Sequence, residues 1–331
     1  MKQIIKALIY SIISTIVAIN IHNAFLLIDY RSNSGTERVE VIINNGDTGL
    51  EIAKKLYEAG VVKTSKAFYR QALADKRANG ISPGIHSLDK KISAESALNQ
   101  LLDSERNRGL LRFAEGLRAY EVISILNKSE LLDGEFSGNV SPNQRYGTNN
   151  LEGFLFPAQY AFGPGTTVDQ AVVQMLERFE TAAQESKLDQ CYEDYTAYQC
   201  LIIASIAQAE GDPQDYTKIA RVIYNRLAIG MPLQMNTTVE YAAKLRGQIR
   251  MSYKQLEINS KYNTYKYRGL PPSPIGNPGE EAMSASVSPA DGDWLFFITV
   301  KPQDTRFTKS IEQFNIWANE FRKNEEAGLF K

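Results

Sequence analysis

The sequence predicts an α+β protein, and three observations carry that prediction. The first is an uncharged apolar run at the amino terminus, long enough for a membrane-crossing helix. The second is an order of strand, helix, helix, strand over residues 39–88. The third is a remaining stretch in which helical segments at 120–126, 201–210 and 311–322 stand beside short strands at 110–113 and 294–300.

From Ala7 to Ile28 the chain carries no Asp, Glu, Lys or Arg. Those 22 residues are enough helix for a hydrocarbon core of about 30 Å. Lys2 and Lys6 precede the run and favour an inside amino terminus. A cleaved signal peptide is the competing reading, but no A-x-A site follows the run. The expectation is therefore a tail at 1–6, an uncleaved single-pass anchor at 7–28 and a polar linker at 29–38, with the bulk of the chain outside the cytoplasm.

The next unit begins with Val39, Val41 and Ile43 alternating with polar residues, as in a half-buried strand. Asn45-Gly46 signals a turn, and Asp47 or Thr48 can cap a helix. Leu50, Ile52, Ala53, Leu56 and Tyr57 then recur at helical spacing. Thr64-Ser65 restarts a helix whose apolar face includes Phe68, Ala72 and Leu73, and Ser82-Pro83-Gly84 turns into a strand at 85–88. A boundary near 105 separates this module, 39–105, from the remaining chain, 106–331. There Leu110–Phe113 predicts a strand, Glu115-Gly116 a turn, and 132–150 a loop rich in Gly, Asn and Ser.

Composition restricts the chemistry. The chain has 331 residues, 43% hydrophobic and 23% charged, with a net charge of −1. No global field recruits nucleic acid, and no phosphate-cradling glycine loop is present. His22 and His86 are the only histidines, and neither they nor Cys191 and Cys200 have metal-ligand spacing. No metal or cofactor is expected, and acid–base work falls to carboxylates, Tyr or Lys. An extracytoplasmic Cys191 and Cys200 can pair, but sequence supplies no geometry to choose between a bridge and two thiols.

One carboxylate stands out. The run Leu201–Ala207 is charge-free and delivers Glu210, followed by Gly211 and Pro213. A carboxyl at the end of an apolar helix is partly desolvated, which raises its pKa and suits a proton donor. Downstream, KYNTYKYRGLPPSPIGNPG (261–279) combines hydroxyls, an amide, aromatic rings and a proline-stiffened loop. Such a wall suits a sugar polymer, whose hydroxyls meet polar groups and whose apolar faces meet rings.

Taken together, LEGFLFP, ASIAQAEG, RVIYNRL, GMPLQMNTTVEY, YNTY and GLPPSPIGNPG resemble the membrane-anchored endolytic murein transglycosylases, the MltG/YceG-like family. NNGDTGLEIAKKL and its βααβ order resemble a LysM-like, glycan-binding module. The resemblance implies a mainly helical catalytic domain over 106–331 with a lysozyme-like cleft and short strands. It implies a lyase that cleaves MurNAc-β-1,4-GlcNAc bonds in nascent glycan strands and leaves 1,6-anhydro-MurNAc ends. Glu210 then corresponds to the family's acid, and Gln208 stands at its first acidic position. A single carboxylate suffices because the sugar's own 6-hydroxyl replaces the second carboxylate of ordinary glycosidases.

The same resemblance assigns substrate contacts to Gln208, Asn225, Arg226, Asn236, Thr238, Tyr241, Tyr262, Asn263, Thr264, Tyr265, Gly269, Pro271, Pro274, Asn277 and Pro278. Glu152 is expected to brace the cleft. The partners implied are peptidoglycan strands, the plasma (inner) membrane and peptidoglycan polymerases, with no nucleic acid. The chain departs from the family pattern at Asn236, Gln159, Thr305 and Phe314, where Asp, Thr and two His are usual. Two other readings stay open. One is a hydrolase using Asp212, Asp215 or Glu240 as a base for water. The other is a catalytically weak or inactive glycan-binding scaffold of the cell-wall synthesis machinery.

Overall fold

The computed structural model describes residues 28–31, 35, 37–44, 46–247 and 252–330. The expected tail and nearly all of the expected anchor lie outside the described residues. Among the described residues no helix is long and apolar enough to cross a membrane. The chain divides into two compact units. The first runs to Arg112 and takes back Glu130–Asp133 and Gln159–Thr166; the second holds Phe113–Ser129, Gly134–Ala158 and everything from Thr167 onward. The expected boundary near 105 thus falls a little early, and it omits the two later segments that rejoin the first unit.

In the first unit β1 (Arg38–Ile43) pairs antiparallel with β2 (Gly84–Asp89), placing Val41 opposite His86 and Ile43 opposite Gly84. Alternation turns Val41 and Ile43 inward. Between the strands lie α1 (Gly49–Glu58) and α2 (Ser65–Ala74). Thr48 caps α1, and Glu51 reaches back to the Thr48 N–H in a reciprocal box. Ile52, Ala53, Leu56 and Phe68 close the core, whereas Leu50, Tyr57 and Leu73 remain exposed. Helical spacing put those three on the apolar face, but a face on a two-stranded sheet is narrower than that stripe. A helix absent from the sequence reading, α3 (Ala94–Leu102), follows β2 and buries Ala97, Leu98 and Leu101. A short pair, β3 (Leu110–Arg112) with β4 (Gln159–Ala161), completes the unit. Gln159 lies on β4, hydrogen-bonded to Arg112.

The second unit contains α4 (Ala119–Asn127), α5 (Val168–Glu185), α6 (Ala197–Glu210), α7 (Tyr216–Ala228), α8 (Asn236–Ala242), the single turn α9 (Tyr253–Leu256) and α10 (Glu280–Val287). It ends in the hairpin β5 (Phe296–Lys301) and β6 (Asp304–Thr308) and in α11 (Ile311–Glu326). Helix α6 is the axis. Every residue from Cys200 to Ala207 is buried, and a helix apolar all round must lie inside. Helices α7, α8 and α10 pack against it. Thr196 and Gln199 form its capping box, and a Cys191–Cys200 disulfide fastens its first turn. The question left open by sequence is thereby decided for pairing. The predicted strand at 294–300 is β5, shifted by two residues at its start, and it is one arm of a hairpin whose other arm sequence did not signal.

Candidate active site

The last residue of α6 is Glu210, and Gly211 leaves the helix with extended backbone (φ −155°, ψ −178°). The Glu210 side chain meets the first turn of α8. Its Oε1 accepts from the Thr237 N–H at 3.2 Å and from the Thr237 hydroxyl at 2.5 Å. Burial pushes the Glu210 carboxyl above the ordinary range. The two Thr237 bonds pull the other way, and the charge of Glu240 adds to the rise. The greasy helix therefore does what its composition suggests: it dries a carboxyl at its end.

Glu210 lines a cleft of about 600 Å³, together with Arg226, Asn236, Tyr265, Phe296 and Phe314. Tyr265 donates to Asn236 Oδ1 at 2.7 Å. Its phenol, pushed up to about 12 by burial and then by the charge of Glu210, stays a neutral donor. A second cleft of about 520 Å³ is lined by Glu115, Arg118, Gln208, Tyr216, Arg246 and Gly276 among others. Ala209, Thr237 and Glu240 line both clefts. Glu210 lines the first cleft only, and its chain neighbour Ala209 and its partner Thr237 reach both.

The sequence-nominated residues separate into two groups. Glu210, Asn236, Tyr265 and Arg226 line the first cleft, Gln208 lines the second, and Tyr241 and Tyr262 line a smaller pocket. The rest are framework. Asn225 donates to the carbonyls of Gly292 and Trp294 at 3.1 and 2.9 Å. Thr238 and Thr264 are buried and joined through their hydroxyls at 2.9 Å, and Thr264 also accepts from Met235 N–H at 3.0 Å. Asn263 donates to the carbonyls of Leu256 and Ile258. Asn277 accepts from Leu155 N–H at 2.9 Å and donates to the Leu117 carbonyl at 2.7 Å. The sequence reading put these polar groups on substrate; the backbone consumes them. Pro271, Pro274 and Pro278 are likewise buried. Pro274 rests on Gly153, which has φ 94° and where a Cβ would come within 2.8 Å of Pro274 Cβ. Gly269, at φ 86°, turns the loop ahead of them.

Arg226 does both jobs. Its Nε donates to the Leu295 carbonyl at 2.6 Å, its Nη1 to that of Leu233, and its guanidinium lies 5.3 Å from the Phe296 ring centre. Glu152, 3% exposed, joins two elements. Its Oε1 accepts from Ala119 N–H at 2.9 Å and its Oε2 from the Tyr241 hydroxyl at 2.8 Å. Burial raises its carboxyl to about 7 in spite of those bonds.

A model of the YceG-like family matches residues 41–320. The chain belongs to the YceG-like family. The endolytic murein transglycosylase of Bacillus subtilis (strain 168) is 30% identical over 301 residues, covering 84% of this chain and 83% of that protein. That of Streptococcus pneumoniae serotype 2 (strain D39 / NCTC 7466) is 29% identical over 302 residues, 78% of this chain and 54% of the relative. The chain spans about half the length of that second protein. A crystal structure of a YceG-like protein from Listeria monocytogenes superposes with a TM-score of 0.54 at 25% identity, covering 85% of this chain and 99% of that one.

In this YceG-like chain the departures from the usual pattern have visible places. Phe314 packs on Phe296 at 5.5 Å and lines the acid's cleft, so a ring surface stands where His is usual. Thr305 pairs with Thr299 across the hairpin, hydroxyl to hydroxyl at 2.9 Å. Three residues of the site escaped sequence reasoning. Thr237 is the direct partner of Glu210, hidden inside NTTVEY next to the nominated Thr238. Phe296 and Phe297 supply the aromatic wall, and a strand's alternation does not say which face meets a cleft.

Proposed function

We propose that this protein is an endolytic murein transglycosylase with Glu210 as its one acid–base group. The observation that carries the reading is the raised, half-buried carboxyl of Glu210 in a cleft that shares Ala209, Thr237 and Glu240 with a second one, in a chain whose relatives bear that name. Protonated Glu210 gives its proton to the bridging oxygen as the bond from C1 of MurNAc breaks. The resulting carboxylate then takes the proton of the sugar's 6-hydroxyl, whose oxygen closes on C1. The products are a GlcNAc hydroxyl end and a 1,6-anhydro-MurNAc end, and no water is consumed. Thr237 steadies the carboxylate between the two transfers, and the grooves hold the strand on either side so that the internal hydroxyl attacks at high effective molarity.

Other parts of the reading follow the same logic. The βααβ module serves as a LysM-like glycan contact, and the amino-terminal segment anchors the chain in the plasma membrane with the catalytic unit outside. The hydrolase reading is less well served. Asp212 is exposed, Asp215 is buried and lines neither cleft, and Glu240 is buried with its Oε2 accepting from Gly247 N–H at 3.1 Å.

Mass spectrometry of un-crosslinked glycan strands after incubation with the protein tests the proposal. Anhydro ends are the expected product. Reducing ends mean hydrolysis, and intact strands beside a folded protein mean a scaffold; either result overturns it. Thr237→Val isolates the acid's partner. It keeps the backbone N–H and removes the hydroxyl, so the carboxylate loses a strong donor. The rate is expected to fall about tenfold to a hundredfold, and the alkaline limb of the pH–rate profile to move upward.

A further inference from the structure

A pocket of about 270 Å³ lies at the far end of α8 from the acid, lined by Arg118, Tyr120, Tyr241, Lys244, Ser260 and Tyr262. It carries two cations and no acid. Helix α8 links it to the chemistry. Thr237, in the first turn, holds Glu210, and Tyr241, in the last, faces the pocket. Four residues of helix span about 6 Å, which is within one or two sugars of the scissile bond.

Arg118 gives the pocket a second mark. It is only 4% exposed, and its Nε and Nη1 meet no hydrogen-bond partner. Its Nη2 donates to the Leu245 carbonyl at 2.5 Å, and its guanidinium lies 5.1 Å from the Tyr241 ring centre. Glu121 and Glu152 lie near enough to feel its charge, yet neither forms an ion pair with it among the described residues. Arg118 also lines the second groove. Lys244 sits beside it in the left-handed region at φ 56°, a conformation that favours glycine at this position after a helix.

We infer that this pocket is a carboxylate subsite. It reads an acidic substituent of the glycan strand, the tyrosine rings covering the apolar part, the exposed Lys244 meeting the anion and the buried charge of Arg118 adding its field from below. The inference rests on the murein reading of the neighbouring groove. Two sources share the chemistry, the carboxylates of a stem peptide and the lactyl carboxylate of a stripped muramic acid.

The test uses the full chain carrying Glu210→Gln, so that ligands stay intact, with and without Lys244→Gly. Binding is measured by calorimetry for three probes: stem-bearing strands, strands stripped of stems by an amidase, and chitin oligosaccharides, which have no carboxylate. Glycine relaxes the left-handed backbone, so the Lys244→Gly protein is expected to melt no lower than its parent. Loss of the ammonium is expected to weaken carboxylate-bearing strands about threefold to tenfold, more at low salt, and to leave chitin oligosaccharides unchanged. A loss confined to stem-bearing strands assigns the stem, and one confined to stripped strands assigns the lactyl group. Equal losses on all three probes, or no loss on any, overturn the subsite. Failure of the murein reading has a separate signature, because wild-type protein would then yield no anhydro ends whatever Lys244→Gly does to binding.

Discussion

Glu210→Gln is expected to lower strand cleavage by about 10²- to 10⁴-fold while leaving the fold intact. Gln is nearly isosteric and still accepts from Thr237 through its carbonyl oxygen, so the 3.2 and 2.5 Å contacts can persist. What disappears is the proton. Turnover counted as anhydro ends checks the rate, and an unchanged melting curve checks the fold. The pH dependence of the wild type has a definite sign. Only the protonated acid can begin the reaction, so activity falls as pH rises through the raised pKa of Glu210. Stability moves the same way. Burial raises the folded-state pKa, so between the unfolded and folded values the folded state holds the extra proton. The contribution is present below the unfolded pKa and is lost as pH climbs through the folded one. In Glu210→Gln that slope should vanish.

Asn277→Ala should be the most destabilising change in the loop at 261–279. Asn277 is 1% exposed, and its side chain joins Leu155 N–H to the Leu117 carbonyl. Its own backbone N–H also reaches Leu117, and its carbonyl accepts from Gly116 N–H. Truncation leaves the Leu155 N–H buried without its acceptor and opens a small void. The expected loss is about 2–4 kcal/mol, read from the denaturant midpoint at unchanged slope. Pro272→Ala, at an exposed position in the same loop, should move the midpoint little. A common loss at both positions would mean the loop's stiffness, rather than the Asn277 bonds, carries its stability.

The raised carboxyl of Glu210 was legible because burial and charge conflict within a few residues of one helix. Seven uncharged residues followed by Glu210 announce a local pKa problem that no tertiary detail is needed to see. Its partner was not legible. Thr237 and Thr238 are chemically identical neighbours, and a helical turn of about 100° sends one to the acid and the other into the core. The YNTY and PPSPIGNPG stretches misled for a related reason. Polar residues dense in a loop read as a surface for sugar hydroxyls, but an irregular buried loop has backbone groups that need partners, and Asn263, Thr264 and Asn277 supply them. In the first unit, cap signals at Thr48 and Thr64 located α1 and α2. The return of 159–166 to that unit, and the pairing of β3 with β4, depend on contacts far apart in the chain and left no local trace.

Helix α6 and helix α11 also differ in a way that bears on how a polymer reaches the acid. The former is locked by burial along most of its length, while the latter has no buried residue at all and packs on β5. One side of the first cleft is therefore a buried floor, and the other a surface helix held to the hairpin by side chains, with Arg306 paired to Glu320 and Asn324 donating to the Val300 carbonyl. Surface elements of this kind belong to the low-free-energy end of native fluctuations. An enzyme that cuts within a strand cannot wait for a chain end to thread through. For the function proposed above, a surface wall beside a buried floor suits a substrate that is met in its middle, because the floor keeps the carboxyl in register whichever way the strand arrives.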